Sequence, residues 1–533
     1  MFIRRKTVGG HTYLQLVENH WEEGRSRQRV LASLGRLDRL EERGDLEALL
    51  RSLARFVRGV TIQDAHRRGD LQAVRIESIG PGLVFGRLWE ELGLDRLVAE
   101  RLAGRRFGFP VERAVFASVV HRVFEAGSDR QGMRFLRDVH VSGADEVDLH
   151  HLYRAMAFLG EEKDALEETL FRATRDLFTS LRLVFFDTTS LYLHGAGGEL
   201  GAHGHSRDHR PELKQVVVGA LLAEDGRPIS CEILPGNKAD VGTLLPVVDR
   251  ARERFGLSEV CFVADRGMVS EALIAGLEAR GMGYILGARM RTVKEVRDEV
   301  LSRSGRYQTV AENLEVKEVA VAGRRYIVCR NPEEVAKDAA DREAIVAALE
   351  ETLARGAKAL VGNRGFRRYL RLEKGALRID RRKVESDAHY DGKWVLRTNS
   401  ALPAADVALQ YKRLLQVEQF FRAAKDLLET RPIFHKVEAT IRGHIFTSFL
   451  ALVLMHELEQ RLAARGEKLE WADVLRDVRE LRQVEVEHDG ERYFLRPLLE
   501  GVCGKVLQAV GVAAPPPVRS APSPGAKAGV RSL

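Results

Sequence analysis

Two short apolar runs in this chain each end in an aspartate, and they constrain the fold more than any other feature. Residues 183–186 (LVFF) precede Asp187, and residues 261–264 (CFVA) precede Asp265. Unbroken apolar runs of this length are typical of strands that are buried on both faces of a sheet. A carboxylate at the end of a buried strand is costly unless a charge or hydrogen bonds meet it. The pattern predicts a mixed α/β core with two acids at its strand ends.

Either aspartate alone also fits a plainer role, as the cap of the following turn or as a paired surface acid. Two acids at matching positions of one sheet favour a shared metal site, because hard divalent cations such as Mg²⁺ bind carboxylate oxygens. Such a site needs a third carboxylate, and Glu418 is the best candidate. It lies in a stretch predicted as one helix from about 404 to 428, in which Tyr411, Glu418 and Lys425 recur every seven residues on one face.

The predicted helical face around Glu418 is both basic and apolar. Arg422 follows Glu418 by four positions and lies on the same side. The same face also carries the apolar residues Leu414, Leu415 and Phe421. A solvated face with a Glu–Arg pair is the plainer alternative. A glutamate beside an arginine and a lysine on a packed face favours a functional site.

Composition restricts the class of protein. Hydrophobic residues make up 45% and charged residues 30% of the 533 residues, which fits a globular chain, and the formal net charge of +7 is compatible with an anionic partner. Four single cysteines exclude a disulfide scaffold and fit a reducing compartment. Because no apolar segment reaches the ~20 residues of a membrane helix, we expect a cytoplasmic protein without a membrane partner.

The spacing of apolar residues changes several times along the chain, which indicates several regions of different structure. The helical pattern over residues 83–179 suits a helix-turn-helix-like DNA-binding region and a plain helical bundle equally well. Asn331 and Pro332 predict the start of a helix, as N-cap and first helical residue. The predicted regions are a small β-meander (1–36), a helical region that we expect to bind DNA ends (37–180), an α/β core (181–289 and 391–455), an α+β insertion (290–390), a helical C-terminal region (456–512) and a disordered tail (513–533).

The order of these features resembles the DDE transposases of bacterial insertion sequences, in the branch with the signature Y-x2-R-x3-E-x6-K. The segment YKRLLQVEQFFRAAK matches through Tyr411, Glu418 and Lys425, and LVFFDTTSLYL and CFVADRGMVS match the first and second aspartate strands. Further similar segments are GPGLVFGRLWEELGL, GHSRDHRPELKQ, LPGNKAD and RPIFHKVEATIRGH. One position departs from the signature. Leu414 stands where the signature has Arg, and Arg413 precedes it.

The resemblance implies an RNase-H-like mixed sheet flanked by helices, with an inserted domain between the second and third acids. Asp187, Asp265 and Glu418 would then be the catalytic residues and the ligands of two Mg²⁺ ions, for which Mn²⁺ could substitute. The partners would be double-stranded DNA, at the terminal inverted repeats and at a target, with a homodimer on the paired ends. The expected DNA contacts are Tyr411, Arg422, Lys425, Arg266, Arg207, His209, Lys214, His435, Arg442 and His444.

Two groups of histidines have competing interpretations. His203, His205 and His209 could form a basic loop that touches phosphate, an exposed loop without function, or a zinc cluster. No cysteine lies near them, and Arg207 interleaves with them, which favours the phosphate interpretation over zinc. His435 and His444, in the RPIFH…RGH stretch, could contact DNA or serve as capping or core histidines.

Three functions remain open from the sequence. The first is a cut-and-paste transposase, which cleaves DNA at its element ends and uses the freed 3′-hydroxyl for strand transfer. The second is an RNase-H-like nuclease without strand transfer, and the third is an inactive DNA-binding relic. The intact acids disfavour the relic. The N-terminal helices and the insertion favour the transposase over a simple nuclease.

Overall fold

The computed structural model describes most of the chain: residues 1–22, 25–54, 71–174, 182–238, 242–257, 260–355, 366–373, 376–488 and 491–521. The chain forms two compact units. The smaller comprises Met1–Ile76, Gln483–Arg496 and Pro516–Leu533, and the larger comprises Glu77–Arg482 and Pro497–Pro515.

The smaller unit contains two sheets. One is a three-stranded meander of β1 (Phe2–Val8), β2 (His11–Glu22) and β3 (Arg25–Arg36), followed by helices α1 (Leu37–Glu42) and α2 (Asp45–Ala54). The other has the strand order β18-β17-β16-β4. Its strands are β4 (Leu71–Ser78), β16 (Arg482–His488), β17 (Glu491–Leu495) and β18 (Val518–Ser520).

The prediction of a disordered tail over 513–533 is wrong for its first part. Residues 518–520 form a strand that pairs antiparallel with β17, with Tyr493 opposite Ser520. Backbone hydrogen bonding along a sheet edge thus orders a segment whose Pro/Ala/Ser-rich composition carries no apolar pattern. Residues 522–533 lie outside the described part of the chain.

The larger unit is built on a nine-stranded sheet. The strand order is β10-β11-β12-β15-β9-β8-β5-β6-β7. The strands are β5 (Leu183–Tyr192), β6 (Gln215–Ala223), β7 (Pro228–Pro235), β8 (Cys261–Ala264), β9 (Gly283–Ala288), β10 (Gln308–Ala311), β11 (Leu314–Val321), β12 (Arg324–Arg330) and β15 (Lys393–Thr398).

Five of these strands form an RNase-H-like arrangement. β5, β6 and β7 are an antiparallel meander, and β8 and β9 continue the sheet parallel to β5. The helices α8 (Leu244–Phe255) and α9 (Glu271–Ala279) lie between the parallel strands in the sequence. The predicted α/β fold class is therefore confirmed, including its mixed sheet.

The stretch expected as an insertion adds strands to the same sheet. β15 pairs antiparallel with β9, and β12, β11 and β10 extend the sheet beyond it. The rest of this stretch comprises α10 (Pro332–Arg355), the hairpin of β13 (Leu370–Glu373) and β14 (Ala376–Ile379), and α11 (Arg381–Ala388). Asn331 caps α10 as predicted, since its Oδ1 accepts the amides of Glu333 (3.0 Å) and Glu334 (3.4 Å).

Side chains along β5 and β8 alternate between two hydrophobic clusters, one on each face of the sheet. Val184 and Phe186 pack with residues of α8 and α9. Phe185 and Val263 pack on the opposite face with a large helical layer. Both faces are covered, which explains why these strands carry apolar runs without polar alternation. The helices of that layer are α3 (Gly80–Glu91), α4 (Leu94–Leu102), α5 (Val111–Phe124), α6 (Asp129–Asp138), α7 (Leu149–Thr174), α12 (Ala404–Lys412), α13 (Leu415–Arg422), α14 (Glu438–Ala464), α15 (Trp471–Arg479) and α16 (Cys503–Ala509).

The helices of residues 80–174 share this hydrophobic cluster with the sheet instead of forming a bundle of their own. One of these helices, α7, crosses α14 at very short distance. A Cβ on Gly160 would lie 1.9 Å from the Ala439 carbonyl oxygen, and a Cβ on Gly443 would lie 1.8 Å from the Met156 oxygen. The two backbones therefore touch, and only glycine fits at the crossing.

One helix among the described residues has the length and composition of a membrane span. It is α14, with 27 residues, but 78% of its apolar stretch is buried inside the protein. Its buried residues extend from Ile441 to Leu462 and pack in the same hydrophobic cluster as the other helices of the layer. We interpret α14 as the central core helix, because its apolar surface is already covered by protein.

The predicted helix over 404–428 is interrupted. α12 ends at Lys412 and α13 begins at Leu415, and the Leu414 and Val417 amides make i→i−3 hydrogen bonds to Tyr411 and Leu414 (both 3.0 Å). A π-helical turn, Ala423–Leu427, follows α13. The seven-residue spacing therefore does not run along one straight α-helix. No proline or glycine marks the break, so no residue type in the sequence predicts it.

Candidate active site

Asp187 and Asp265 lie side by side on adjacent parallel strands. Phe186 pairs with Ala264, and each aspartate follows one residue later, so the acids occupy neighbouring positions on strands about 4.8 Å apart. The alternation of side chains places Asp187 on the face of Phe185 and Asp265 on the face of Val263. Both carboxylates therefore point to the face that the helical layer covers.

Asp265 is held by the turn that follows it and by a tyrosine. Its Oδ2 accepts the Gly267 amide (3.3 Å) at the start of the 3₁₀ turn Arg266–Met268, as an N-cap. The Tyr411 hydroxyl, from α12, donates to its Oδ1 (3.0 Å). Burial, together with the nearby Asp265 charge, raises the pKa of Tyr411 well above its usual range. The signature tyrosine therefore stays protonated and donates to the second acid.

A glycine makes this contact sterically possible. Gly287, on β9, faces Tyr411, and a Cβ there would stand 2.5 Å from the tyrosine hydroxyl oxygen. The sequence shows Gly287 only as a glycine inside a strand, a pattern that is often associated with close approach of another group. That weak signal was not enough to assign it to the site.

Asp187 is contacted by a loop that returns over β5. Its Oδ1 accepts the Thr188 amide (2.7 Å) and lies 3.7 Å from Nη1 of Arg207. Arg207 also donates to the Thr188 carbonyl and to Thr188 Oγ1 (3.1 Å), and its amide donates to Ser190 Oγ (2.9 Å). The basic loop expected to touch phosphate is therefore fixed beside the first acid.

Glu418 lies on α13, which packs against β5 and β6. Leu414, Val417 and Phe421 face the cluster on the Asp187 side of the sheet. The Glu418 side chain is exposed and makes no hydrogen bond or ion pair with any described residue. The third predicted acid is thus mounted over the face to which Asp187 points, with its oxygens available for a ligand.

Lys425 is held by a buried carboxylate. Its Nζ lies 2.8 Å from Asp208 Oδ1, and Arg431 Nε lies 3.4 Å from the same oxygen. Burial lowers the pKa of Lys425, although the Asp208 charge opposes the shift. Neither Asp208 nor Arg431 was assigned from the sequence, because their approach depends on two loops that are distant in the chain.

The arginines near Glu418 differ in their surroundings. Arg413 donates to Oε1 of Glu224 (3.0 Å), the residue that follows β6. Its hydrogen bond is therefore to neither of the two aspartates. Arg422 is exposed and, among the residues that the structure describes, has no hydrogen-bond or ion-pair partner. The alternative of a Glu418–Arg422 pair is therefore not seen. Leu414 is buried, and Leu415, expected on the packed face, is 50% exposed.

His444 is buried inside the protein, which disfavours its assignment as a DNA contact, and His435 is partly buried beside it. Arg122 Nη2 donates to His444 Nδ1 (3.2 Å), and His444 Nε2 donates to the Thr430 carbonyl (2.9 Å). Burial lowers the pKa of His444 well below its usual range. His435 Nε2 lies 3.6 Å from Asp129, and burial lowers its pKa too. Both fit the alternative of core histidines.

The remaining predicted contacts lie on the surface or at its edge. Arg442 pairs with Glu438 (2.7 Å) within α14, and Lys214 Nζ donates to the Ala196 carbonyl (3.2 Å). Arg266 and His209 are exposed. Their contacts with DNA stay a prediction.

Preformed metal clusters are nearly absent from the described residues. Among the residues that the structure describes, the only group of three or more His, Cys, Asp or Glu residues whose ligand atoms lie within 4.8 Å of one another is Asp148, His150 and His151. His203, His205 and His209 do not form such a group, which disfavours zinc there. Asp187, Asp265 and Glu418 do not form such a group either, so their ligand atoms are not all within this distance of one another.

An RNase-H-like sheet with acids at adjacent strand ends and a third acid on a covering helix defines a class of metal-dependent enzymes that act on nucleic-acid phosphodiesters. A family model described as "Transposase DDE domain" matches residues 179–454, more than half of the chain. The chain belongs to this family and is a DDE insertion-sequence transposase. A second model, "IS1634 family transposase, N-terminal domain", matches residues 3–64.

Two solved structures are among the similar folds. The piggyBac transposase synaptic complex with hairpin DNA has 10% sequence identity and a TM-score of 0.38, and the match covers 75% of this chain and 79% of that chain. The Mos1 transposase paired-end complex with the left transposon end has 13% identity and a TM-score of 0.15, covering 34% of this chain and 60% of that chain. No curated protein matches the chain.

Proposed function

We propose that this transposase moves its element by cut-and-paste transposition, cleaving DNA at the element ends and joining the freed 3′-hydroxyl to target DNA. The observation that carries the proposal is the pair of acids at adjacent strand ends, with the third acid on a helix that packs against one of these strands. Asp187 and Asp265 are adjacent on parallel strands, and Glu418 is carried on a helix packed over the same face. DDE transposases depend on divalent metals, and these three carboxylates are the candidate ligands.

The residues at the site fit Mg²⁺. All three candidate ligands are carboxylates, the oxygen donors that this hard cation prefers, and no cysteine or histidine competes at these positions. The Glu418 carboxylate has no partner among the described residues, so a cation does not have to displace one. Two such ions, when bound, would activate the attacking oxygen and stabilise the leaving one.

The side chains around the acids have separate roles in this proposal. Tyr411 keeps Asp265 oriented through its hydroxyl, and its high pKa preserves the donor at any working pH. Lys425 and Arg422 hold phosphates of the cleaved strand, since a cationic donor next to a carboxylate site favours the approach of a polyanion. Arg207, fixed against Asp187 and Thr188, limits where that strand can lie.

The partners follow from the reaction. Double-stranded DNA is the substrate at both the terminal inverted repeats and the target, and the net charge of +7 favours its approach. Both ends must be cut and joined together, so we propose a homodimer on the paired ends. We place the protein in the cytoplasm, where its DNA lies.

A strand-transfer assay tests the proposal and separates it from the alternatives. The full chain is incubated with a labelled DNA end, taken from the inverted repeat that flanks its gene, with Mg²⁺ and a supercoiled target plasmid. We expect cleavage at the repeat boundary and joining of the labelled 3′ end to the plasmid. Cleavage without joining would identify a nuclease, and binding without either reaction would identify a relic.

A further inference from the structure

Asp208 brings two cations from different parts of the chain to one oxygen. Its Oδ1 lies 2.8 Å from Lys425 Nζ and 3.4 Å from Arg431 Nε. Lys425 belongs to the π-helical turn after α13, and Arg431 belongs to the loop that leads to α14. The resulting cluster of Asp208, Lys425 and Arg431, here named the 208 cluster, carries one negative and two positive charges.

The 208 cluster is shielded from solvent but is not saturated with hydrogen bonds. The side chains of Asp208 and Lys425 are 8% and 12% exposed, and that of Arg431 is 23% exposed. Arg431 Nη1 and Asp208 Oδ2 are buried and have no hydrogen-bond partner in the described part of the chain. A Lys ammonium has three donors, and one of them reaches Asp208. Cationic donors therefore remain for a second anion.

The cluster is next to the catalytic acids. Asp208 directly follows Arg207, which lies 3.7 Å from Asp187 Oδ1 and donates to Thr188. On the other side, Lys425 lies in the π-helical turn that directly follows α13, the helix that carries Glu418. A strand whose scissile phosphate lies at the acids would thus pass the 208 cluster within a short distance.

We propose that Arg431 is a second phosphate contact beside Lys425, and that Asp208 is a positioning residue that aims both cations at a phosphodiester of the bound strand. This inference rests on the proposed function and adds two residues to its DNA contacts. Fixing two long side chains before the substrate arrives reduces the conformational entropy lost on binding. A buried carboxylate does this with one contact to each cation, and it leaves Arg431 Nη1 without a hydrogen-bond partner among the described residues.

The Asp208→Asn variant separates positioning from simple masking of the cations. Removing a negative charge beside a DNA site leaves affinity for the DNA end unchanged or higher. If Asp208 positions the cations, cleavage at saturating DNA nevertheless falls about tenfold or more, and Asp208→Glu recovers part of the rate. If Asp208 only masks the cations, both affinity and cleavage rise, and cleavage at or above the wild-type rate overturns the proposal.

Asp426→Asn is the matched control. Asp426 also contacts Arg431, with Oδ1 at 3.5 Å from Nη2, but its side chain is 65% exposed. We expect this variant to cleave at the wild-type rate, because it removes the same charge without loosening the buried contact. Thermal melting of both variants checks that the isosteric amide at position 208 leaves the fold intact.

Arg431→Gln gives an independent readout in DNA binding alone. A lost phosphate contact reduces the slope of log affinity against log salt by about 0.9. We expect this reduction for the full chain on an element end, and an unchanged slope overturns the assignment of Arg431. If wild-type protein does not cleave DNA, the proposed function fails, whereas normal cleavage with unaffected variants refutes only this inference.

Discussion

At the scale of single residues, the alternation of side chains along two strands decides the site. Asp187 and Asp265 each follow a buried residue of known face, so their carboxylates emerge together beneath the helical layer. The sequence predicted this pair because both acids end apolar runs. It could not predict the contacts of Asp208 and Arg431, since these arise from loops that meet only in the folded chain.

The hydrogen bond from Tyr411 to Asp265 predicts a catalytic effect of a single hydroxyl. Hydrogen bonds to charged groups contribute roughly 1.5–3 kcal/mol, so Tyr411→Phe should lower the cleavage rate about tenfold or more while the protein stays folded. Tyr284→Phe is the control, because it loses a hydroxyl that donates to Glu278 (2.8 Å). The measurement is the cleavage rate of each variant on the same DNA end. Equal rates for the two variants would show that the Tyr411 hydroxyl has no role in cleavage.

The two arginines around the signature position should also differ. Arg422 is exposed and without a partner in the described chain, whereas Arg413 is engaged with Glu224. We therefore expect Arg422→Ala to lower cleavage or end-complex formation about tenfold, and Arg413→Ala to change either by less than about twofold, in keeping with an exposed ion pair. If Arg413→Ala instead lowers cleavage more than Arg422→Ala in the same assay, Arg413 is the residue that replaces the signature arginine.

At the scale of elements, local signals predicted some boundaries and missed others. Asn331 and Pro332 fixed the start of α10, because capping depends on residues adjacent in the chain. The break between α12 and α13 had no proline or glycine to announce it. The tertiary contacts at the break lie on both sides of it: Tyr411 donates to Asp265, and Leu414 and Val417 pack into the core.

The crossing of α7 and α14 predicts a strong packing effect of one methyl group. Gly443→Ala places a Cβ 1.8 Å from the Met156 oxygen, so the helices must separate. We expect a loss of about 1–3 kcal/mol in the free energy of unfolding, or more, as for other overpacked sites. Urea denaturation of the purified variant measures this loss.

Gly86→Ala is the control for that substitution. Gly86 is also helical, but its Cβ would meet only Phe116 Cζ, at 3.7 Å. Replacing a helical glycine where space allows should stabilise the chain by about 0.5–1 kcal/mol. If both variants unfold at the same urea concentration, the close backbone contact between α7 and α14 is not present.

At the scale of the whole molecule, the fold class could be predicted from the sequence, but the extent of the sheet could not. Residues 308–330 were predicted to be part of an insertion. In the structure they extend the core sheet, since an open strand edge favours further pairing. The helices of residues 80–174 share the core of the sheet, so a fragment of residues 1–178 would lack the partner surfaces of those helices. End recognition therefore has to be tested in the full chain.

The basic meander of the smaller unit is the part in which end recognition can be tested most cleanly. Arg5 and Lys6 are exposed on β1. We expect the double variant Arg5→Gln/Lys6→Gln to weaken binding to the element end and to reduce the salt slope by about 0.9 for each lost phosphate contact. The exposed pair Arg465 and Lys468, changed in the same way, serves as the control. An unchanged affinity and slope would exclude these residues from the DNA interface.

The most direct test of the central claim is strand cleavage by variants of the three acids, measured with DNA binding in parallel. Asp187→Asn, Asp265→Asn and Glu418→Gln keep the shape of each side chain and remove its charge, and Asp406→Asn, an exposed acid of α12, is the control. We predict that each of the three loses cleavage in both Mg²⁺ and Mn²⁺ while binding the DNA end, and that the control cleaves normally. Substantial cleavage by any one of the three would contradict the assignment of that acid to the active site.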